Sequence, residues 1–358
     1  MLRVIAYTGG HNNPARVPRV QQYIPALKPL GVEVTESASR AGSYPPHGGF
    51  CRRAAWGLWN LAEHLPAIGQ SYGYDVTLLQ REMLSTYATL EPFTKAPRVL
   101  DVDDALWVLR GGGFARRLAE ACDHVICGNN FLAENFSRWN PRVSVLPTAV
   151  DTGRFAPAED SGSGSAAPGV NPFITSEVTP GVKPVIGWIG LSSGFPYLGE
   201  IEAALAAALR RHPECVLRII SDRPPQLPLL PPRQLEYRPY AGAREVADIQ
   251  AMTVGIMPLD GSVWARGKCS FKMIRYMACG VPVVVSPYGM NAEILQQGEV
   301  GFGATSAREW TETLEALLAS PNLRAHMGRA GRAIAERHYS LAALAPRLAN
   351  ILRAQVCD

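Results

Sequence analysis

Short runs of β-branched and apolar residues alternate with longer helix-like stretches along the whole chain, a pattern that predicts βαβ units and a parallel sheet. The first half supplies six such runs, at residues 2–7, 32–36, 76–80, 98–102, 124–128 and 143–148. The second half repeats the pattern at 184–190, 216–221, 235–238, 254–259, 281–286 and 300–304. Two doubly wound, Rossmann-like domains are therefore expected, with strand ends from both sheets facing a central cleft. Between them, residues 156–182 are rich in Gly, Ser, Pro and Ala and lack periodicity, which predicts a linker. Beyond Ser306, apolar residues return at helical spacing (Leu314, Leu317, Leu318, then Leu341, Leu344, Leu348, Ile351, Leu352), so helices close the chain. The expected division is an N-terminal domain at 1–155, the linker at 156–182, a second domain at 183–336, and a terminal helix at 337–358 that packs back toward the first domain.

Size and composition support two cores rather than one. A chain of 358 residues exceeds the ~150 expected of a single domain. A net charge of +4 is too small to argue for a nucleic-acid partner. The seven cysteines are odd in number, scattered and without paired ligand spacing, which fits a reducing compartment and implies no metal site. The apolar opening from Leu2 to Tyr7 is too short for a signal peptide, and no later run approaches a membrane span. The expectation is a cytoplasmic protein, free to touch the inner face of a membrane peripherally.

The stretch from Trp264 to Ser286 carries the densest candidate chemistry. Lys268 and Lys272 stand four residues apart ahead of an apolar strand. On a helix they share one face and reach two phosphates together, at strand ends and helix N-termini where phosphate-bearing ligands sit; the alternative is two solvated lysines. Gly9 and Gly10 after the first strand, and Gly190 after the first strand of the second half, allow close backbone approach to phosphate or simply form tight turns. Ser192 and Ser193 follow Gly190 as phosphate neighbours or helix caps. Asp101, Asp103 and Asp104 follow an apolar run, as a carboxylate set holding a divalent cation or as turn caps. Arg16 and Arg19, beyond the first strand, contact phosphates of a donor or acceptor, with acceptor binding the role expected of them, or remain solvated.

These residues also carry a resemblance. Gly255-Ile256-Met257-Pro258-Leu259, the lysine segment, Asn291-Ala292-Glu293-Ile294, Ile186-Gly187-Trp188-Ile189-Gly190 and Gly328-Arg329-Ala330-Gly331-Arg332 together resemble the C-terminal domain of GT-B glycosyltransferases of family 4, glycosyl transferases group 1. Looser echoes in the first half, Leu79-Gln80-Arg81-Glu82, Asp101-Val102-Asp103-Asp104-Ala105 and Gly128-Asn129-Asn130-Phe131-Leu132, are similar to a subgroup associated with bacterial polysaccharide synthesis. The resemblance implies a GT-B fold and a retaining, metal-independent transfer of sugar with no cofactor. The donor would be a nucleotide-diphosphate sugar, the acceptor a hydroxyl-bearing glycan or lipid-linked molecule, with surface-glycan assembly as setting. Lys268 and Lys272 would neutralise the leaving diphosphate, Asp103 or Asp104 would serve the acceptor, and the loop with Gly289, Met290, Asn291 and Glu293 would approach the donor sugar. Asn291 and Glu293 could equally be N-cap and first-turn residues. The chain departs from the family where many relatives keep two glutamates eight positions apart, because Gly267 and Arg275 stand there. Arg275 then adds a third cation to the donor site or turns outward. That deficit also motivates a second expectation, a non-catalytic relative that binds a sugar nucleotide or glycan. A transferase acting on a small natural product is a third, and a metal-dependent transferase at Asp101 and Asp103 a fourth.

Overall fold

A computed structural model describes residues 1–10, 13, 15–42, 44–46, 48–158 and 183–356. The linker expected at 156–182 lies outside the described residues from position 159 onward. All twelve expected strands form: β1 (Leu2–Thr8), β2 (Val32–Ala38), β3 (Val76–Gln80), β4 (Arg98–Val102), β5 (His124–Cys127), β6 (Val143–Val145), β7 (Val185–Ile189), β8 (Val216–Ser221), β9 (Leu235–Pro239), β10 (Val254–Met257), β11 (Val283–Val285) and β12 (Gly301–Gly303). They assemble into two sheets of order β2-β1-β3-β4-β5-β6 and β12-β11-β10-β7-β8-β9. Every registered pair is parallel. Central strands such as β3 and β7 are buried at each position, as a parallel sheet covered on both faces requires. In both orders the chain reverses direction beside the first strand, between β1 and β3 and between β7 and β10, and a crevice at the carboxyl ends of those strands is where ligands bind in open α/β sheets.

The chain divides into two compact units: Met1–Ala149 with Arg266–Cys269 and Ser340–Asp358, and Val150–Ala265 with Ser270–Tyr339. This differs from the expected division in residues 150–155, expected in the first domain but found in the second unit, and in the segment Arg266–Cys269, which the sequence places in the second half. The physical reason is local. The Asn129 amide donates to the carbonyls of Gly267 and Lys268 at 3.2 and 3.1 Å, Lys268 pairs with Asp104, and a side chain at Gly267 would press against Ala105.

The core of the first unit joins Val4, Ala6, Val32, Leu78 and Val99 to Tyr23, Leu27 and the last helix, Leu341–Ala354, which contributes Leu344, Leu348 and Leu352 at four-residue spacing. Each such leucine stabilises by roughly 2 kcal/mol through burial. The core of the second unit surrounds the buried rings of Trp188 and Trp310 with Leu205, Leu209, Ile219, Ile256 and Leu314. No helix among the described residues is long and apolar enough to cross a membrane.

Candidate functional site

In the second unit the crevice between β7 and β10 is organised by Tyr276, on the helix Phe271–Ala278. Its hydroxyl accepts from the backbone N–H of Ile189 at 3.1 Å and lies 3.5 Å from the carbonyl of Ile256, so one side chain ties the helix to both strands at the switch point. Gly255 makes room for the ring, since a Cβ there would stand 2.5 Å from it. Burial keeps this phenol protonated, pushing its pKa well above the ordinary range against the Ile189 N–H bond and the Arg275 charge, which both lower it. One helical turn before Tyr276, Lys272 is thereby delivered to the end of β7. Its Nζ lies 5.3 Å from the Trp188 ring centroid, a cation–π distance. A Cβ on Gly190 would meet Lys272 Cε at 2.5 Å and the Trp188 ring at 3.0 Å. Glycine at 190 is a packing requirement of the lysine.

The helix is fixed from its other end by Ser270, whose backbone is left-handed (φ 49°), a conformation unfavourable for a residue with a side chain. Ser270 Oγ donates to Asn291 Oδ1 at 2.6 Å, and Asn291 Nδ2 donates to the Ser286 carbonyl at 3.0 Å. Ser286 Oγ in turn accepts from Leu259 N–H at 2.9 Å, joining the segments after β10 and β11. Asn291 is fully buried in this chain of bonds, which corrects its reading as an N-cap: the helix Met290–Leu295 is preceded by Gly289 at φ 54°. Met290 is buried and Glu293 half-buried in the first turn. Ser192 donates from both its N–H (2.6 Å) and its hydroxyl (2.8 Å) to Asp222 at the end of β8, while Ser193 is exposed. Ser192 is therefore a hydrogen-bond donor to a carboxylate and not a cap.

Two expectations about cations fail here. Lys268 and Lys272 do not share a helical face, because the helix begins at Phe271 and the left-handed Ser270 separates them. Arg275 neither turns outward nor adds a loose cation. It stacks on Phe271 at 3.8 Å and pairs with Glu245 at 2.5 Å, a buried carboxylate that also lies 3.3 Å from Arg154. Burial lowers the Arg275 pKa, the opposing charge of Glu245 raises it, and the guanidinium stays charged.

The first unit gathers its polar groups after β1, β3 and β4. Arg19 is buried, not solvated: its Nε donates to Asp101 Oδ2 at 2.9 Å, a second nitrogen bonds Oδ1, and another donates to the Leu146 carbonyl at 2.8 Å. Asp101 thus serves β4 as half of a buried ion pair, which corrects its reading as a cation ligand. Arg16 grips Glu36 with two bonds of 2.6 and 2.9 Å. Desolvation raises the Glu36 pKa, but hydrogen bonds from Arg16, Thr8 and Gln21 outweigh it and hold the carboxylate low. Gly10 is left-handed (φ 77°) and lies so close to the Ser39 carbonyl that no side chain fits, so its glycine has a structural cause; Gly9 precedes it at the end of β1.

Asp104 and Asp103 differ in their surroundings. Asp104 Oδ1 accepts from Lys268 Nζ at 2.7 Å, and Oδ2 lies 3.4 Å from Arg81. Asp103 Oδ1 is shut off from solvent with no hydrogen-bond partner among the described residues. Burial, and then the neighbouring Asp104, push the Asp103 carboxyl up to about 6, against the pull of Arg81 and Arg19. Arg81 itself, just past β3, sits at φ 64°, and it lines a small pocket with Asn13, Tyr44 and Glu82 at the switch point of the first sheet. The neighbouring Cys269 is buried and its thiol pushed well up by desolvation, so it is an inert packing residue, as is Cys279, raised to about 12. Tyr276 and Asp222 escaped the sequence reading, and Trp188 entered it only as part of a motif; an aromatic residue one turn after Lys272 was the available signal.

Residues 202–350 match the family model described as Glycosyl transferase-like. Over 224 residues the chain is 27% identical to a GDP-mannose-dependent monoacylated alpha-(1-6)-phosphatidylinositol monomannoside mannosyltransferase of Corynebacterium glutamicum, an alignment covering 60% of this chain and 57% of that protein. Among solved structures, a sucrose-phosphate synthase from Thermosynechococcus elongatus superposes with a TM-score of 0.71 at 16% identity, covering 99% of each chain. HepE from Anabaena, in complex with UDP and glucose, superposes at 0.67 with 14% identity over 99% of this chain and 100% of that one. The chain accordingly has the two-sheet α/β architecture of the GT-B class, and its residues 202–350 are similar to the glycosyl transferase-like family.

Proposed function

We propose that this protein is a glycosyltransferase that moves a sugar from a nucleotide-diphosphate donor to a hydroxyl acceptor, with retention of configuration and without a metal ion. The observation that carries the reading is Lys272, held by Tyr276 beside Gly190 at the switch point of the second sheet. A leaving diphosphate gains negative charge as the anomeric bond breaks, and a preorganised cation at the carboxyl end of β7 stabilises that charge where it develops. Gly190, Ser192, Ser193 and the loop Gly289–Glu293 are the donor-side neighbours in this reading, while Lys268 is held by Asp104 in the first unit. Arg275 lies deeper, neutralised by Glu245.

In the first unit, Asp103 is the group suited to the acceptor. Its unpartnered Oδ1 accepts a hydrogen bond from the attacking hydroxyl, while Asp104 is held by Lys268 and Arg81. The proton passes to a departing phosphate oxygen on the same face, so no covalent enzyme intermediate forms. The commitment of Asp101 to Arg19 favours charge neutralisation by lysine over a cation held between aspartates. Arg16 and Arg19 leave the acceptor role expected of them to Asp103 and Arg81.

Membership of family 4, and a place in assembling surface glycans on lipid-linked acceptors at the cytoplasmic face of the membrane, are supported by two names. The Corynebacterium protein is a phosphatidylinositol monomannoside mannosyltransferase, and WaaG, a structural neighbour at a TM-score of 0.60, is involved in lipopolysaccharide biosynthesis. The test is a thermal-shift panel of UDP, GDP, ADP and dTDP, then product analysis with the matching sugar nucleotides in EDTA, reading anomeric configuration by NMR. A stabilising nucleotide with a product of unchanged configuration supports the proposal. Binding without turnover identifies a sugar-nucleotide-binding relative instead, and binding of no nucleotide overturns both readings.

A further inference from the structure

The helix Phe50–Ser71 is built inside out. The side chains it buries are mostly polar: Asn60, His64 and Ser71, with Ala67. It is held by hydrogen bonds, from Asn60 Nδ2 to the Gly42 carbonyl (3.2 Å), from Trp56 Nε1 to the Ala41 carbonyl (3.0 Å), from Ser39 Oγ to Glu63, and from Tyr7 Oη to the Ala67 carbonyl. Its outward arc runs through Cys51, Ala54, Ala55, Leu58, Ala62, Leu65, Pro66 and Gly69, without one charged residue. Phe50 is 86% exposed, Leu58 71%, Trp59 62% and Leu65 61%, and Tyr72 just beyond the helix 64%. A surface helix of a soluble domain turns its apolar stripe inward; one with an apolar outward face has a further surface to cover.

We propose that this helix lies on an anionic phospholipid surface and docks the first unit there. Three features favour lipid over a protein partner. Exposed Arg52 and Arg53 sit in the first turn of the helix, exposed Arg40 lies in the segment bonded to its middle, and its one acid, Glu63, is engaged by Ser39 and Ala41, so the face offers net positive charge to anionic headgroups. The rings of Phe50, Trp59 and Tyr72 are spread along the length of the helix, and Trp and Tyr are residues that favour the headgroup boundary. The face is a single convex helix, which suits burial of an apolar stripe into the headgroup boundary. The inference deepens the reading above, resting on it only in that the acceptor is lipid-linked.

The test is co-sedimentation of the full chain with vesicles of phosphatidylglycerol and phosphatidylcholine, against phosphatidylcholine alone, at low and high salt. The expected result is sedimentation with the anionic vesicles that weakens with salt. Arg52→Ala with Arg53→Ala should lower vesicle affinity roughly tenfold to thirtyfold. Leu58→Glu with Leu65→Glu should abolish binding while leaving the melting temperature and the nucleotide thermal shift unchanged. Wild-type protein that stays in the supernatant, equal sedimentation of the Leu58→Glu/Leu65→Glu variant, or a wild-type dimer that this variant makes monomeric would each overturn the proposal. The nucleotide shift is independent of vesicles, so docking and sugar transfer can fail separately.

Discussion

Lys268 Nζ lies 2.7 Å from Asp104 Oδ1, within the same compact unit, although the two residues are 164 positions apart in the chain. Four positions later Lys272 belongs to the other unit and lies over Trp188. Two lysines that read as one clamp are therefore two separately anchored cations with different partners.

Their loss should separate in the same way. Lys272→Ala removes the charge beside Gly190 and should lower kcat/KM by roughly a hundredfold, the scale of losing one group that stabilises developing charge. Lys268→Ala should cost less in donor binding and should couple energetically to Asp104→Asn, because the second change removes a group the first has already unpaired. A double-mutant cycle on thermal stability should give a coupling of about 1 kcal/mol for this partly exposed pair. Additive effects would mean that the pair is incidental.

Asp103 makes stability depend on pH with a sign opposite to that of a salt-bridged aspartate. Its folded carboxyl titrates near 6, above the ordinary aspartate value, so between those two pH values the folded state holds a proton the unfolded state has lost. Stability from this group therefore falls as pH rises from about 4 to about 6 and stays lower above it, by on the order of 3 kcal/mol. Asp103→Asn should flatten the melting-temperature profile in that window and raise stability at neutral pH. In the transfer reaction the wild-type rate should rise through pH about 6 as the carboxylate forms, and the variant should lose that limb.

Gly190→Ala tests the close approach at the end of β7. The added Cβ would overlap Lys272 Cε and touch the Trp188 ring, and since neither strand nor ring can retreat, the lysine side chain moves. The expected outcome is a folded protein whose thermal shift by the cognate nucleoside diphosphate shrinks and whose donor KM rises roughly tenfold, with overpacking costing about 1–3 kcal/mol. An unchanged KM would place the diphosphate elsewhere.

The strands were legible because a parallel sheet buried on both faces demands continuous apolar runs, and runs such as Val283–Val285 allow little else. Gly190 was legible as a strand-end glycine, though its cause, the Lys272 side chain, was not. What escaped depends on bonds between distant positions. Four-residue spacing implies a shared helical face only if the residues between are helical, and Ser270 leaves the helix because its hydroxyl is taken by Asn291, 21 positions away. Arg19 reads as a loop arginine until Asp101, 82 residues on, buries it. The helix Phe50–Ser71 hid for the reverse reason, since its apolar stripe faces away from the core that an amphipathic pattern is normally used to find.

Arg275 gives the sharpest test of the departure from the resembled family. Arg275→Glu, which puts a glutamate where that resemblance leads one to expect it, would set a second carboxylate against Glu245, which is buried and already depends on Arg275 and the half-exposed Arg154 for its neutralisation. The variant should lose about 3–5 kcal/mol of stability, the range for breaking a buried pair and leaving a charge behind. Arg275→Glu with Glu245→Arg should recover a substantial part of that loss, because the pair is re-formed with its charges exchanged and Arg154 becomes the only like-charge neighbour. Denaturant unfolding of the two variants measures this directly. If Arg275→Glu alone were as stable as the wild type and bound the nucleoside diphosphate more tightly, the Glu245 pair would be dispensable and the missing glutamate a loss of donor contact, not a structural exchange.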